Sequence, residues 1–172
     1  MALTDWVSAG PIASERHGPN LEERVDAMEF DNSFSVQKPI EEVWSTMLDL
    51  ERVVPCVPDA RVLEKTGEKA VKAEIRIRLG SMSMKYTGPA EIVEQDDEAH
   101  RAVLKARARE AGGQGNADAK VGIQLAESDG GTEVSIHSDV NVTGKAAQMG
   151  EGVIAGVTEG MIKEFADNLA KL

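Results

Sequence analysis

From Arg61 to Val142 apolar and polar residues alternate along the chain, broken by short turn signals at Thr66-Gly67, Gly80, Asp96-Asp97, Gly112-Gly113 and Asp129-Gly130-Gly131. A period of two sends successive side chains to opposite faces, so each run reads as a strand with one apolar side. The runs fall at about 60–66, 69–79, 82–95, 98–111, 115–127 and 132–143, and connections of a few residues join antiparallel neighbours. The pattern predicts a six-stranded meander whose apolar face needs a cover.

The rest of the chain supplies one more strand and the cover. Phe30, Asn32, Phe34 and Val36 alternate with Glu29, Asp31, Ser33 and Ser35, which predicts a first strand from Met28. In KPIEEVWSTML, Pro39 and two glutamates occupy a first turn, and Ile40, Val43, Trp44 and Met47 follow helical spacing. The next stretch, DLERVVPCVPDA, allows about one further turn before Pro55 and Pro58 stop it. Residues 145–172 carry Met149, Val153, Val157, Met161, Phe165 and Leu169 at steps of four, predicting one helix of roughly 40 Å that crosses the whole sheet. Residues 1–27 show no sustained period and contain Pro11, Gly18 and Pro19, so they form an N-terminal extension whose one candidate element is a short helix from Leu21. The domain is expected over 28–172.

The inward positions of the strands are apolar, and several are small: Gly88, Ala106, Ala108, Ala117, Ala119 and Ser138. A curved sheet under a helix needs volume to fill the gap, and unfilled volume costs about 24 cal/mol per Å³. Two outcomes are open. The helix closes down, with Gly150, Gly152, Gly156 and Gly160 letting backbones approach, or the space holds a ligand against an apolar lining with adaptable methionines.

Composition removes other classes. A single cysteine, Cys56, in 172 residues excludes an internal disulfide framework and a multi-cysteine metal site, and His17, His100 and His137 are scattered. Thirty acidic against nineteen basic side chains give a net charge of −11, the wrong field for binding nucleic acid. No run approaches the roughly 18 apolar residues of a membrane span, and no secretory signal opens the chain, so the expected location is the cytoplasm. The inward list contains no histidine, carboxylate or lysine, so no catalytic set and no metal site are expected. Tyr86 and Ser138 are its main polar members, with Tyr86 placed to bond a ligand carbonyl. Cys56 reads as a small residue in a rigid turn, and the loop 111–116 as a hairpin at the pocket rim. Lys72, Arg76, Arg78, Lys85, Arg101, Lys105, Arg107 and Arg109 occupy outward positions. They form either a solvated face or a docking face for an acidic enzyme or anionic headgroups.

Three stretches carry a family resemblance: MEFDNSFSVQKPIEEVWSTMLDLERVVPCVPDARVLEKTG at 28–67, KYTGPAEIVEQD at 85–96, and GGQGNADAKVGIQLAESDGGTEVSIHSDVNVTGKAAQMGEGVI at 112–154. Together with the element order they resemble the CoxG family of carbon monoxide dehydrogenase proteins, of the START-like, helix-grip superfamily. The resemblance is specific in the turn from Pro55 to Pro58 and in VTGKAAQMG, and it leaves the first 27 residues outside. It implies an α+β domain: a seven-stranded curved antiparallel sheet wrapped around a long C-terminal helix, with two short helices after the first strand. It also implies a cavity for a lipophilic molecule, a quinone or prenyl lipid, and no intrinsic cofactor.

The implied role is non-catalytic. Such proteins look like accessory subunits of molybdenum hydroxylases of the carbon monoxide dehydrogenase type, in maturation, membrane recruitment or passage of electrons to a quinone. The chain ends on the helix, without the C-terminal extension some members carry, so membrane contact is expected to be peripheral at most, at the inner face of the cell membrane. The alternatives are a ligand-free assembly factor or an aromatase- or cyclase-like enzyme. The expected lining is Trp44, Ile77, Met82, Met84, Tyr86, Leu104, Val121 and Ile136 from the small helix and the sheet. Met149, Val153, Val157 and Met161 complete it from the long helix.

Overall fold

The computed structural model describes residues 25–172. The earlier part of the extension, with its candidate helix from Leu21, lies outside the described residues. β1 (Val25–Val36) leads into α1 (Ile40–Leu48), α2 (Leu50–Val53) and a 3-10 turn (Val54–Cys56). The meander follows as β2 (Ala60–Gly67), β3 (Ala70–Leu79), β4 (Met82–Asp96), β5 (Arg101–Glu110), β6 (Asn116–Ser128) and β7 (Gly131–Thr143). A 3-10 turn (Ala146–Met149) then precedes α3 (Glu151–Ala170).

The seven strands form one antiparallel sheet in the order β1-β7-β6-β5-β4-β3-β2. β1 begins three residues before the alternation becomes visible, because Val25, Asp26 and Ala27 pair with Thr143, Val142 and Asn141. An aspartate at position 26 breaks the apolar alternation of the sequence there. The sheet, the two short helices and the long closing helix make the expected helix-grip arrangement.

Local chemistry explains the junctions. Pro39 stands at the N-cap of α1 with φ −61°, and α1 buries Val43, Trp44 and Met47 on one stripe. Asp49 interrupts the two helices in an extended conformation, and its carboxylate accepts the Glu51 N–H to start α2. Gly88 has a backbone reason to be glycine, since an added Cβ would lie 1.9 Å from the carbonyl oxygen of Arg107. The β4–β5 pairing skips Gly88 and Pro89 without changing register. The strands meet backbone to backbone there, where proline donates no ladder bond.

The C-terminal segment is not one continuous helix. Gly150, at φ 90°, separates the 3-10 turn from α3, which leaves 20 residues, or about 30 Å of helix in place of 40. Its buried residues are Ile154, Phe165 and Leu169. Val153 is 41% exposed, a correction with a simple geometric cause: four residues turn an α-helix by 400°, so a stripe at steps of four drifts about 40° per step.

Candidate functional site

α3 leans on β1, on the turn at Val54–Cys56 and on β3. In the sheet order β7, β6, β5 and β4 lie between those two strands. The helix therefore spans the curved sheet from its β1 edge to β3, above strands rich in small inward residues. Ala106 faces Ala119 and Ala108 faces Ala117 in the β5–β6 register. These four, with Leu104, Val121, Ile123 and Val140, point inward yet are only half-buried. A solid core would cover them almost completely. Their residual exposure is what a space between α3 and the middle of the sheet would leave.

The apolar interior is correspondingly split in two. One cluster gathers Val36, Val43, Trp44, Met47, Leu50, Ile136, Phe165 and Leu169, with Leu104 and Val121 packed against it. The other gathers Met28, Leu79, Met84, Tyr86, Val142 and Ile154, with Ile77, Met82, Met149 and Val157 packed against it. Ala119 and Met161, both half-buried, belong to neither. Apart from Val153 and Met161, the expected lining residues divide between these two clusters.

Val153 points to solvent, and Ile154 takes its place. Trp44 is 5% exposed, belongs to the first cluster and also borders the open cleft beside the two small helices. Its indole N–H donates to Asp97 at 3.0 Å, and its ring meets His100 edge-on with centroids 5.4 Å apart. The Gln95 amide and the Trp44 indole, both donating to Asp97, hold that carboxyl below the usual carboxylate range. The helix glycines do not bring backbones together either, since a Cβ on Gly150, Gly152, Gly156 or Gly160 would meet nothing within 4 Å.

Tyr86 is 3% exposed, and its hydroxyl touches only the thioether of Met84, at 3.9 Å. Burial, and after it the negative charge of Glu110, pushes its pKa above the ordinary tyrosine value. Glu110 corrects the expectation of an inward face without carboxylates: it sits opposite Tyr86 in register, on the inward parity of β5. Its carboxylate is engaged, accepting the backbone N–H groups of Gly112 at 2.8 Å and Gln114 at 3.0 Å. It closes the hairpin. Asn32, the residue the sequence reading missed, shares the inward side of β1 with Met28, Phe30, Phe34 and Val36. Its Oδ1 is fully buried and has no hydrogen-bond partner.

Outside the hollow, an open cleft of about 620 Å³ runs between α1–α2 and the ends of β2, β3 and β4. Glu41, Asp49, Glu51, Glu68 and Asp97 line it, and that polarity suits water better than a lipophilic guest. Cys56 is buried, its thiol hydrogen-bonded to the Arg52 carbonyl at 3.6 Å, and desolvation raises its pKa against the opposing charge of Arg52. On the convex face the ligand atoms of Glu29, His137 and Asp139 lie within 4.8 Å of one another, and Asp31 bonds His137 Nδ1. His137 points outward as its parity predicts, but only 14% of its side chain is accessible. The basic strip is also on this face. Arg107 pairs with Asp118 at 3.3 Å, whereas Arg76 and Lys85 stand directly opposite each other.

The family model of the carbon monoxide dehydrogenase protein CoxG matches residues 33–172. No curated protein matches the chain. A conserved protein from Geobacillus kaustophilus is similar in structure, with a TM-score of 0.74 at 25% identity, covering 84% of this chain and 93% of that one. The Zhui aromatase/cyclase from Streptomyces sp. R1128 aligns with a TM-score of 0.57 at 11% identity over 85% of this chain and 93% of its own. A truncated norcoclaurine synthase from Thalictrum flavum gives 0.56 at 15% identity over 86% and 93%. The last two establish likeness of fold alone. Among the described residues no helix is long and apolar enough to cross a membrane.

Proposed function

Because the chain belongs to the CoxG family of carbon monoxide dehydrogenase proteins, we propose that it is a non-catalytic carrier of a hydrophobic small molecule, quinone- or prenyl-lipid-like, acting as an accessory protein of a carbon monoxide dehydrogenase-type molybdenum hydroxylase. The observation that carries this reading is the split interior. Inward apolar side chains on the central strands keep part of their surface accessible beneath α3, at the margins of two well-packed clusters. A guest burying about 300 Å² of apolar surface there gains about 7 kcal/mol before association costs. Carrying needs no acid–base pair. The inward carboxylate beside Tyr86, Glu110, is spent on the hairpin, which favours carriage over the cyclase chemistry named for the Streptomyces protein. Service to the hydroxylase, whether in maturation, in membrane recruitment or in passing electrons to quinone, rests on the family.

Native mass spectrometry of gently purified protein, before and after incubation with menaquinone, tests the carrier reading. Wild type is expected to hold one guest mass and Val157→Trp, which places an indole in the second cluster, to hold none. A wild-type protein that carries and takes up nothing, while still binding hydroxylase subunits, would make it a ligand-free assembly factor.

A further inference from the structure

The convex face of β1 and β7 gathers one imidazole and three carboxylates in a single patch. Residues two apart on a strand share a face, so Glu29 stands with Asp31 on β1, and His137 with Asp139 on β7. The register sets Glu29 directly opposite Asp139 and Asp31 directly opposite His137. Two carboxylates facing each other across a strand pair repel. A cation between them removes that cost, and an imidazole nitrogen lies at the same spot: His137 Nε2 is 3.7 Å from Glu29 Oε1 and 3.7 Å from Asp139 Oδ1.

Asp31 completes the set from behind. An ionised carboxylate only accepts, so its bond to His137 Nδ1 places the ring proton there and turns the Nε2 lone pair of a neutral imidazole toward Glu29 and Asp139. This is the arrangement that orients metal-ligating histidines. Tetrahedral bonds of about 2.0–2.1 Å put donor atoms about 3.4 Å apart. The three atoms already lie within 4.8 Å of one another, so small side-chain rotations bring them onto one ion. Lys120 stands opposite Asp139 on β6, while Glu29 is exposed on the edge strand.

We propose that Glu29, His137 and Asp139 hold one divalent transition ion of the zinc class, with Asp31 positioning His137 and water in the remaining place. One imidazole nitrogen with two carboxylates matches Zn²⁺ better than the all-oxygen cages of Ca²⁺ or Mg²⁺, and the two carboxylates balance its charge. The ion fastens the edge strand β1 to β7. The site lies outside the apolar interior, so it stands or falls independently of the carrier reading. Sequence spacing did not show it because Asp31 and His137 are 106 residues apart.

Calorimetric titration of Zn²⁺ into the full chain, stripped of metal with a chelator and free of any affinity tag, is expected to show one saturable equivalent that raises the melting midpoint. Glu29→Gln and Asp139→Asn should each weaken it by about tenfold or more. His100→Gln, which removes the histidine paired with Glu41, should leave it unchanged. Asp31→Asn should weaken binding about tenfold and shift the visible spectrum of the Co²⁺-loaded protein; an unaltered spectrum takes Asp31 out of the site. Absence of a saturable equivalent, its survival in the Glu29→Gln, Asp139→Asn double variant, or its loss in His100→Gln overturns the proposal. Should the variants not fold, Mn²⁺ added to wild type at less than one equivalent should broaden the His137 ring resonances before those of His100, and the reverse order refutes the assignment.

Discussion

Ala119→Leu decides between an open and a filled interior by the sign of one number. Ala119 is on β6, pairs with Ala106 and Val140 on its two neighbours, and is half-buried under α3. Leucine adds three carbons. In an open hollow they move from water into apolar contact, worth about 0.8 kcal/mol per CH₂ at full burial, so a half-covered side chain gains about 1 kcal/mol. In a filled core the same carbons force off-rotamer packing and cost about 1–3 kcal/mol. The readings thus differ by roughly 2–4 kcal/mol. For a domain of this size 1 kcal/mol moves the melting midpoint by about 2–4 °C, so the open interior predicts a rise of that order. Urea titration with an unchanged slope reports the free energy, calorimetry reports the midpoint, and dye uptake should fall as volume is lost. A loss of more than about 1 kcal/mol at constant slope would refute the open hollow.

The helix glycines meet open space, so Gly152→Ala, Gly156→Ala and Gly160→Ala should each stabilise by up to about 1 kcal/mol, read by thermal melting. Backbone clash at any of them would instead lower the midpoint. Tyr86 has a raised pKa in the folded protein. Its contribution is therefore complete below the unfolded value near pH 10 and is lost as pH rises through the folded one. Tyr86→Phe should remove that alkaline decline from a stability–pH profile, and a profile identical to wild type would contradict the assignment. Lys85→Glu turns a like-charge cross-strand pair with Arg76 into an opposite-charge one, for a gain of about 0.2–1 kcal/mol in urea titration. It should also weaken retention on anionic phospholipid vesicles at low salt if this face docks; unchanged retention would exclude that role. Amides at 151–160 should exchange hydrogen faster than those at 161–170, since only Ile154 is buried in the first half of α3.

The fold was legible because its main signal is a period of two over hairpin-length spacings. Six strand positions read from that pattern agree with β2–β7 to within three residues at either end. Such a pattern needs no knowledge of tertiary contacts. What escaped depends on three dimensions. Steps of four pointed to Val153, whereas the rotation of a real helix buries Ile154. Gly88 read as one of several small inward residues that leave either a close approach or a space, and it stands where β4 and β5 touch through their backbones. Trp44 read as lining, and the partner of its indole N–H, Asp97, lies 53 residues away and was beyond the reach of the pattern. Asn32 and Glu110 were visible in the alternation. Polar residues on an apolar parity are the ones such a reading passes over, and both prove to have specific surroundings.

The two ends of α3 are held unequally, and that asymmetry connects the packing to the carrier reading. At the C-terminal end Phe165 and Leu169 are buried, Phe165 meets Phe34 edge-on at 6.0 Å, the Asn168 amide donates to the Cys56 carbonyl at 2.9 Å, and Lys38 reaches the Leu172 carbonyl at 2.6 Å. The N-terminal end follows a glycine at φ 90°, exposes Val153 and carries three glycines with open space around them. Glycine lowers helix stability by up to about 1 kcal/mol against alanine at each position, so the free energy needed to fray or tilt α3 is smallest at this end. The residues uncovered by such a motion would be those of the second cluster, Met84, Tyr86, Met149 and Val157. On the carrier reading a guest would then enter over adaptable methionines and the Tyr86 side chain, while the first cluster keeps the rest of the domain folded.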